Sequence, residues 1–179
     1  EAKTSLDKLS VLTRSTLEQS RGEDTLLEDE IAFLESYLHL ERQVQGNNFI
    51  FEITVSENID AEFERIPSMI IQPLVENALK HGLRTKQGDK KLAIAFSLAE
   101  GEERDVLTIT VTDNGIGRAA SAEVNKSRSK HQSFATQSIE QRIKIINTTM
   151  GYNRITMEIT DLYNHHLPTG TQVTLTVAS

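Results

Sequence analysis

Apolar residues recur along this chain at two spacings, and the switches between them outline its elements. Over residues 4–20, Leu6, Leu9, Val11, Leu12 and Leu17 fall at roughly helical intervals, and Gly22 just beyond suits a helix stop. A second helix is predicted over 27–45, with Leu27, Ile31, Leu34 and Leu38 on one face and the turn signal Gly46-Asn47-Asn48 after it. Phe49, Phe51, Ile53 and Val55 then alternate with other residues, the period of a strand. Residues 68–82 return to helix, with Gly82 at a natural stop. Pro73 marks either a kink in that helix or its true start.

Two strands follow, near 92–99 and 106–112. In the second, Leu107, Ile109 and Val111 face one way and Thr108, Thr110 and Thr112 the other, as in a sheet with one face on a core. Residues 118–135 show no period, and a connection of that length reads as a lid. Helix resumes over 136–150 on the stripe Ile139, Ile143 and Ile146, and strands near 155–160 and 171–177 finish the chain. The order is α-α-β-α-β-β-lid-α-β-β. Consecutive strands without crossover helices imply a mixed, largely antiparallel sheet, covered by helices on one face: an α+β, two-layer sandwich.

Composition narrows the function classes. The 179 residues suffice for one domain with a substantial core and a small helical appendage. A formal charge of −7 without a basic run makes a poor nucleic-acid binder. With no Cys there is no disulfide framework, thiolate metal site or cysteine nucleophile, which suits a cytosolic location. No apolar run approaches the roughly 20 residues of a membrane span, and no signal peptide is visible. A chain opening at Glu1 rather than Met reads as a piece of a longer protein.

Three segments carry candidate chemistry. On the helix 68–82, turned about 100° per residue, Ile71, Leu74, Val75, Ala78 and Leu79 collect on one side and Glu76, Asn77, Lys80 and His81 on the other. An Asn amide oxygen there is a hard neutral ligand suited to Mg²⁺, and Lys80 and His81 share its face. The plain alternative is a solvated face with a Glu76–Lys80 ion pair. Asp113-Asn114-Gly115-Ile116-Gly117 follows a strand directly; a carboxylate there can accept from an exocyclic amino group such as adenine's, with glycines allowing close approach. Its alternative is an Asn-Gly hairpin turn. Gly170-Thr171-Gln172-Val173, after Pro168, is a glycine turn entering a strand, or a simple hairpin.

The three in this order resemble the Bergerat-fold (GHKL) ATPases, which include gyrase, mismatch-repair and chaperone ATPases and histidine kinases. The run Ile66-Pro67-Ser68-Met69-Ile70-Ile71-Gln72-Pro73-Leu74-Val75-Glu76-Asn77-Ala78-Leu79-Lys80-His81-Gly82 is similar to the asparagine box of the LytS-type sensor histidine kinases. Leu27-Glu28-Asp29-Glu30-Ile31 and Tyr37-Leu38-His39-Leu40-Glu41-Arg42 are similar to that group's lead-in helix. The resemblance covers nearly the whole chain. It implies a Bergerat fold over 23–179, with 118–135 as the ATP lid, preceded by residues 1–22 as the end of a dimerisation hairpin. The implied cofactors are ATP and Mg²⁺: Asn77 on the metal, Lys80 and His81 near the phosphates, Asp113 on adenine with Gly115 and Gly117 beside it, and Gly170-Thr171 at the adenine end. Arg142 would follow the lid. The implied partners are a response regulator, the LytTR type among the options, and the chain's own upstream phosphoacceptor and sensor regions. The implied setting is the cytoplasmic part of a membrane-anchored, homodimeric sensor.

The chain departs from the group's pattern at three places. Pro73 stands where many relatives carry an acidic residue or Asn, leaving Glu76 as the nearest carboxylate for a catalytic role, about 100° away around the helix. The glycines expected after the lid are replaced by Ser133-Phe134-Ala135-Thr136, where the Ser133 or Thr136 hydroxyl would contact phosphate instead. None of His39, His81, His131, His165 and His166 sits in a phosphoacceptor motif, so the receiving histidine lies outside the chain. The leading expectation is γ-phosphoryl transfer to that histidine; the alternatives are a nucleotide-binding scaffold and a hydrolysing ATPase of the same superfamily.

Overall fold

The structure, a computed structural model, describes residues 24–46, 48–101, 104–118, 120–121 and 132–178, with the backbone alone over 132–136. The expected helix 4–20, and with it the 1–22 segment, lies outside the described residues, as does most of the expected lid. The chain is α+β. It runs β1 (Asp24–Leu26), α1 (Leu27–Gln45), β2 (Phe49–Val55), β3 (Arg65–Pro67), α2 (Gln72–Asn77), a π-helix (Ala78–Leu83), β4 (Lys90–Ala99), β5 (Val106–Asp113), α3 (Gln132–Met150), β6 (Ile155–Asn164) and β7 (Leu167–Ala178).

Among the described residues, five strands form one sheet in the order β2-β4-β5-β7-β6. Only β2 and β4 run parallel, joined by a crossover through α2 and the π-helix; the other pairs are antiparallel. Alternation works as read: Leu107, Ile109 and Val111 are buried on the helix side, while Thr108, Thr110 and Thr112 take the other face. Leu92, Ile94 and Phe96 of β4, Ile155 of β6 and Leu175 and Val177 of β7 complete the sheet's side of the core. Helix α1 contributes Leu27, Leu34 and Leu38, α2 and the π-helix Leu74, Val75, Leu79 and Leu83, and α3 Ile139 and Ile143.

Two elements are absent from the pattern reading. The three-residue strands β1 and β3 pair with each other, Thr25 opposite Ile66, and clamp the start of α1 onto the segment leading to α2. The fork of Arg154, at the start of β6, holds Asp24 at 3.0 and 2.5 Å, tying chain entry to the main sheet. Other boundaries move. Helix α3 begins at Gln132 rather than 136, which shortens the aperiodic stretch.

Strands β6 and β7 extend past their expected ends into a hairpin whose turn is His165-His166, so Gly170 sits within β7 and not at a turn. Pro168 is tolerated there because β5 ends at Asp113, opposite Thr171, leaving Pro168 with a ladder partner on one side only. Both turn residues are left-handed, φ 46° and 68°, the geometry of a two-residue turn that favours Asn-Gly. The double substitution His165→Asn, His166→Gly is therefore expected to stabilise the fold by about 1 kcal/mol, read from the urea midpoint.

Candidate functional site

The helix expected over 68–82 divides in two, and the division builds the site. Pro73 lies in the first turn of α2, where a missing N–H costs nothing, so it starts the helix rather than kinking it. After Asn77 the coil widens into a π-helix, a form frequent at functional sites. The polar side predicted for this helix then splits into two stripes. Asn77 and His81 line a cavity of about 210 Å³ over the sheet. Glu76 turns away from it, accepting from Gln72 Nε2 at 3.0 Å and from Lys80 Nζ at 2.5 Å. Lys80 is mostly exposed and borders a separate cleft with Tyr37, Glu41 and Arg84.

The cavity floor follows from strand register. Val111 of β5, Val173 of β7 and Ile159 of β6 stand side by side, and Met157 extends the apolar patch. One step further along the strands the row turns polar: Asp113, Thr171 and Asp161 are direct cross-strand neighbours on the same face. Leu74, Asn77, Ala78, His81 and Gly82 form one wall, Ile139 of α3 another, and Gly117, Arg118 and Ser121 a third.

Asp113 is the chemical centre of this arrangement. It is 5% exposed, and its Oδ1 accepts the Gly115 N–H at 2.7 Å. Burial raises its pKa from 3.8 to about 6, against the opposing pull of backbone hydrogen bonds from Gly115 and Thr171 and of the Lys86 charge. Three glycines crowd it. A Cβ on Gly82 would stand 2.6 Å from Asp113 Oδ1, one on Gly115 2.3 Å from the Gly82 carbonyl oxygen, and one on Gly170 1.9 Å from the Asp113 carbonyl oxygen. Gly117 adopts φ 77° against Pro168, and the Ile116 N–H donates to the Gly82 carbonyl at 3.2 Å, locking this loop to the end of the π-helix. The Asn114 side chain bonds Lys91 N–H and the Asp89 carbonyl, so the Asn-Gly pair closes onto β4 instead of turning a hairpin. His81 is held below its ordinary pKa by burial and by the Lys80 and Arg84 charges, which favours the neutral imidazole.

The structure thus gathers Asn77, His81, Asp113, Gly117 and Thr171 around one cavity, with Gly115 and Gly170 packed behind Asp113. It does not bring Glu76, Lys80 or Arg142 there. Arg142 Nη2 donates to the Ser68 carbonyl, ahead of α2. The side chain of Thr136 lies outside the described residues. Sequence reasoning missed Arg118, Ser121, Asp161 and the steric role of Gly82; the only available signal was the nearness of Arg118 to Gly117.

The donor set fits Mg-ATP. A buried carboxylate at the end of an apolar slot suits the amino edge of a flat heteroaromatic base, and the volume suits the base rather than a whole triphosphate. Among the described residues no three His, Cys, Asp or Glu groups cluster to hold a metal ion. A metal here would take Asn77 and otherwise phosphate and water oxygens, the habit of Mg²⁺.

A mixed sheet with helices on one face and an Asp-Gly-lined slot beside an Asn-bearing helix is the arrangement of the Bergerat fold. Solved structures agree in fold. The mycobacterial sensor histidine kinase MprB superposes with a TM-score of 0.56 at 12% identity, over 88% of this chain and 97% of that one. The histidine kinase domain of the Erythrobacter litoralis EL346 blue-light activated kinase gives 0.51 at 16% identity, over 82% and 59%. The histidine kinase family model matches residues 1–49. The sensor protein LytS of Staphylococcus haemolyticus is 33% identical over 119 residues, 65% of this chain and 19% of that protein. By these matches the chain is similar to the LytS-type sensor histidine kinases. It spans about a fifth of the length of the curated relatives it matches. No described helix is long and apolar enough to cross a membrane.

Proposed function

We propose that this chain binds Mg-ATP and directs its γ-phosphoryl group to a histidine outside the chain, for relay to a response regulator. The observation that carries this reading is the buried Asp113 carboxylate at the end of a slot whose opposite wall presents Asn77 and His81. Bound Mg-ATP supplies the phosphoryl group; the chain's own part is positioning and electrostatics. Asp113 accepts from the adenine amino group, with Thr171 beside it. Asn77 offers its amide oxygen to the metal. His81, neutral, donates or accepts one hydrogen bond near the phosphates without adding charge. We further propose the division into 1–22, the end of a dimerisation hairpin, and 23–179, the catalytic domain with 118–135 as lid; the start of β1 at Asp24 supports it. The proposed setting is the cytoplasmic side of a membrane-anchored, homodimeric sensor.

The test is calorimetric titration of Mg-ADP into the chain and into Asn77→Ala. Saturable binding is expected for the parent, and the variant should lose the part of the affinity that depends on Mg²⁺. Failure of the parent to bind any adenine nucleotide would sink the proposal.

A second reading, binding without transfer, draws on the orientation of Glu76, which leaves the cavity without a carboxylate base on that helix. The same fact weighs against a hydrolysing ATPase. Restoring the upstream histidine segment and assaying for acid-labile phosphohistidine separates binding from transfer.

A further inference from the structure

Arg142 stands outside the cavity, at the point where the Asn77 helix begins. Helix α2 is six residues long, and its N-cap residue, Ile71, makes no side-chain capping bond. A helix that short and uncapped does not fix its own direction. The turn over 68–71 therefore sets where α2 points. Met69 in that turn is left-handed, φ 58°, and buried. A residue with a Cβ keeps that conformation only where its surroundings hold it. The turn's own side chains do not close it: the buried Ser68 Oγ has no hydrogen-bond partner among the described residues. The hold comes from α3. Arg142 Nη2 donates to the Ser68 carbonyl, one residue before Met69.

Arg142 works from an anchored base. Ile139, one turn earlier on α3, walls the cavity, and Ile139 and Ile143 seat α3 in the core. The guanidinium is half-buried; burial lowers its pKa from the ordinary value, and the charge of Glu30, buried on α1, raises it again. Asp113 takes its position from other parts, namely its ladder partners in β4 and β7 and the Gly115 N–H. We propose that Arg142 is a positioning residue: by holding the Ser68 carbonyl it fixes the left-handed turn ahead of α2, and so sets Asn77 where one nucleotide reaches both it and Asp113. Loss of Arg142 then weakens the metal end of the ligand and spares the base end. The inference rests on the nucleotide-binding reading, and it gives Arg142 a role through Asn77 without contact to the nucleotide.

The experiment measures Kd for ADP by calorimetry, once with saturating Mg²⁺ and once with EDTA, in the parent chain, Arg142→Met, Arg142→Gln and Arg142→Lys, with thermal melts to verify folding. The ratio of the two constants is the gain from Mg²⁺. Arg142→Met keeps an apolar stem and removes the donor. Its gain from Mg²⁺ is expected to fall about tenfold, with the Mg²⁺-free affinity within about threefold of the parent. Arg142→Lys keeps a charged donor and should keep most of the gain. Arg142→Gln keeps a shorter, neutral donor, and its gain should fall about threefold or more, the result to read if Arg142→Met does not fold. A merely structural residue would weaken binding equally with and without Mg²⁺, or leave both unchanged. Either pattern in Arg142→Met or Arg142→Gln, or a gain in Arg142→Lys as low as in Arg142→Met, would overturn the proposal. Absence of ADP binding to the parent would instead fail the nucleotide-binding reading, and parent binding indifferent to Mg²⁺ would fail the assignment of Asn77 to the metal.

Discussion

Asp113→Asn is expected to lose Mg-ADP binding by about 30- to 1,000-fold while making the unliganded protein more stable. The loss follows from hydrogen-bond polarity. Oδ1 already serves Gly115, so an amide keeping that bond turns its NH₂ toward the ligand's own donor. A charge-assisted bond replaced by facing donors in a buried site costs about 2–4 kcal/mol, which is the stated fold-change. The gain follows from burial. The folded state raises the carboxyl from 3.8 to about 6, so it holds this proton more tightly than the unfolded chain does. The raised pKa is a penalty on folding, complete above about pH 6 and relieved as pH falls toward 4. Removing the charge should raise stability at neutral pH by about 1–3 kcal/mol, the lower figure allowing for weaker bonds to the Gly115 and Thr171 N–H groups. Urea denaturation of both proteins at neutral pH and near pH 4 checks the sign: the difference should shrink in acid. In the parent, affinity for Mg-ADP should decline as pH drops through about 6, whereas the variant's residual affinity should stay flat over that range. A variant no more stable at neutral pH would show that Asp113 is better solvated than its burial implies.

Gly170→Ala is the largest expected structural effect. The new Cβ would stand 1.9 Å from the Asp113 carbonyl oxygen, 2.8 Å from its carbonyl carbon and 3.0 Å from Asn114 Cα, at φ 146°. All three neighbours are backbone, so no side chain can swing aside; β7 must part from β5 where Thr171 faces Asp113. A cost of about 3–5 kcal/mol is expected, or a fall in Tm of about 6–20 °C by calorimetry. Mg-ADP binding should go with it, because the same movement displaces Asp113. Gly151→Ala is the matched control. Its φ is 76° but nothing lies within 4 Å of the added atom, so only the left-handed backbone is strained, at about 1 kcal/mol. Equal effects of the two substitutions would mean that the close approach at Gly170 relaxes freely.

On the proposed reading, stability is given up at this site for recognition. A carboxylate is buried without a cationic partner in contact among the described residues, and glycines pack against it. This is the pattern expected where a ligand completes the hydrogen bonding.

Much of this was legible in the chain. The helix Leu27–Gln45, strand Phe49–Val55, the alternation of β5 and the stripe Ile139, Ile143 and Ile146 were all readable, because a period of 3.6 or 2 is local and needs no partner to be seen. Asn77 could be chosen from the polar face of an amphipathic helix, Asp113 from its place at a strand end, and Gly170-Thr171 from a glycine entering an apolar alternation. What stayed hidden depends on distant parts of the chain. Strands β1 and β3 are too short for any period and exist only because they pair with each other. The split between Asn77 with His81 and Glu76 with Lys80 needed the sheet and α1 on either side of the helix; both pairs have the same spacing in sequence. Asp161 joins Asp113 through two strand registers, and a shift of one residue would turn it to the other face. Sequence alone therefore determined the long periodic elements, the fold class and the polar residues that are candidates for the site, because those rest on local periodicity and side-chain chemistry. Tertiary structure alone decided which of those residues share a cavity, which carboxylate is left uncompensated and which glycines cannot be replaced, because burial and register arise only when separate segments pack.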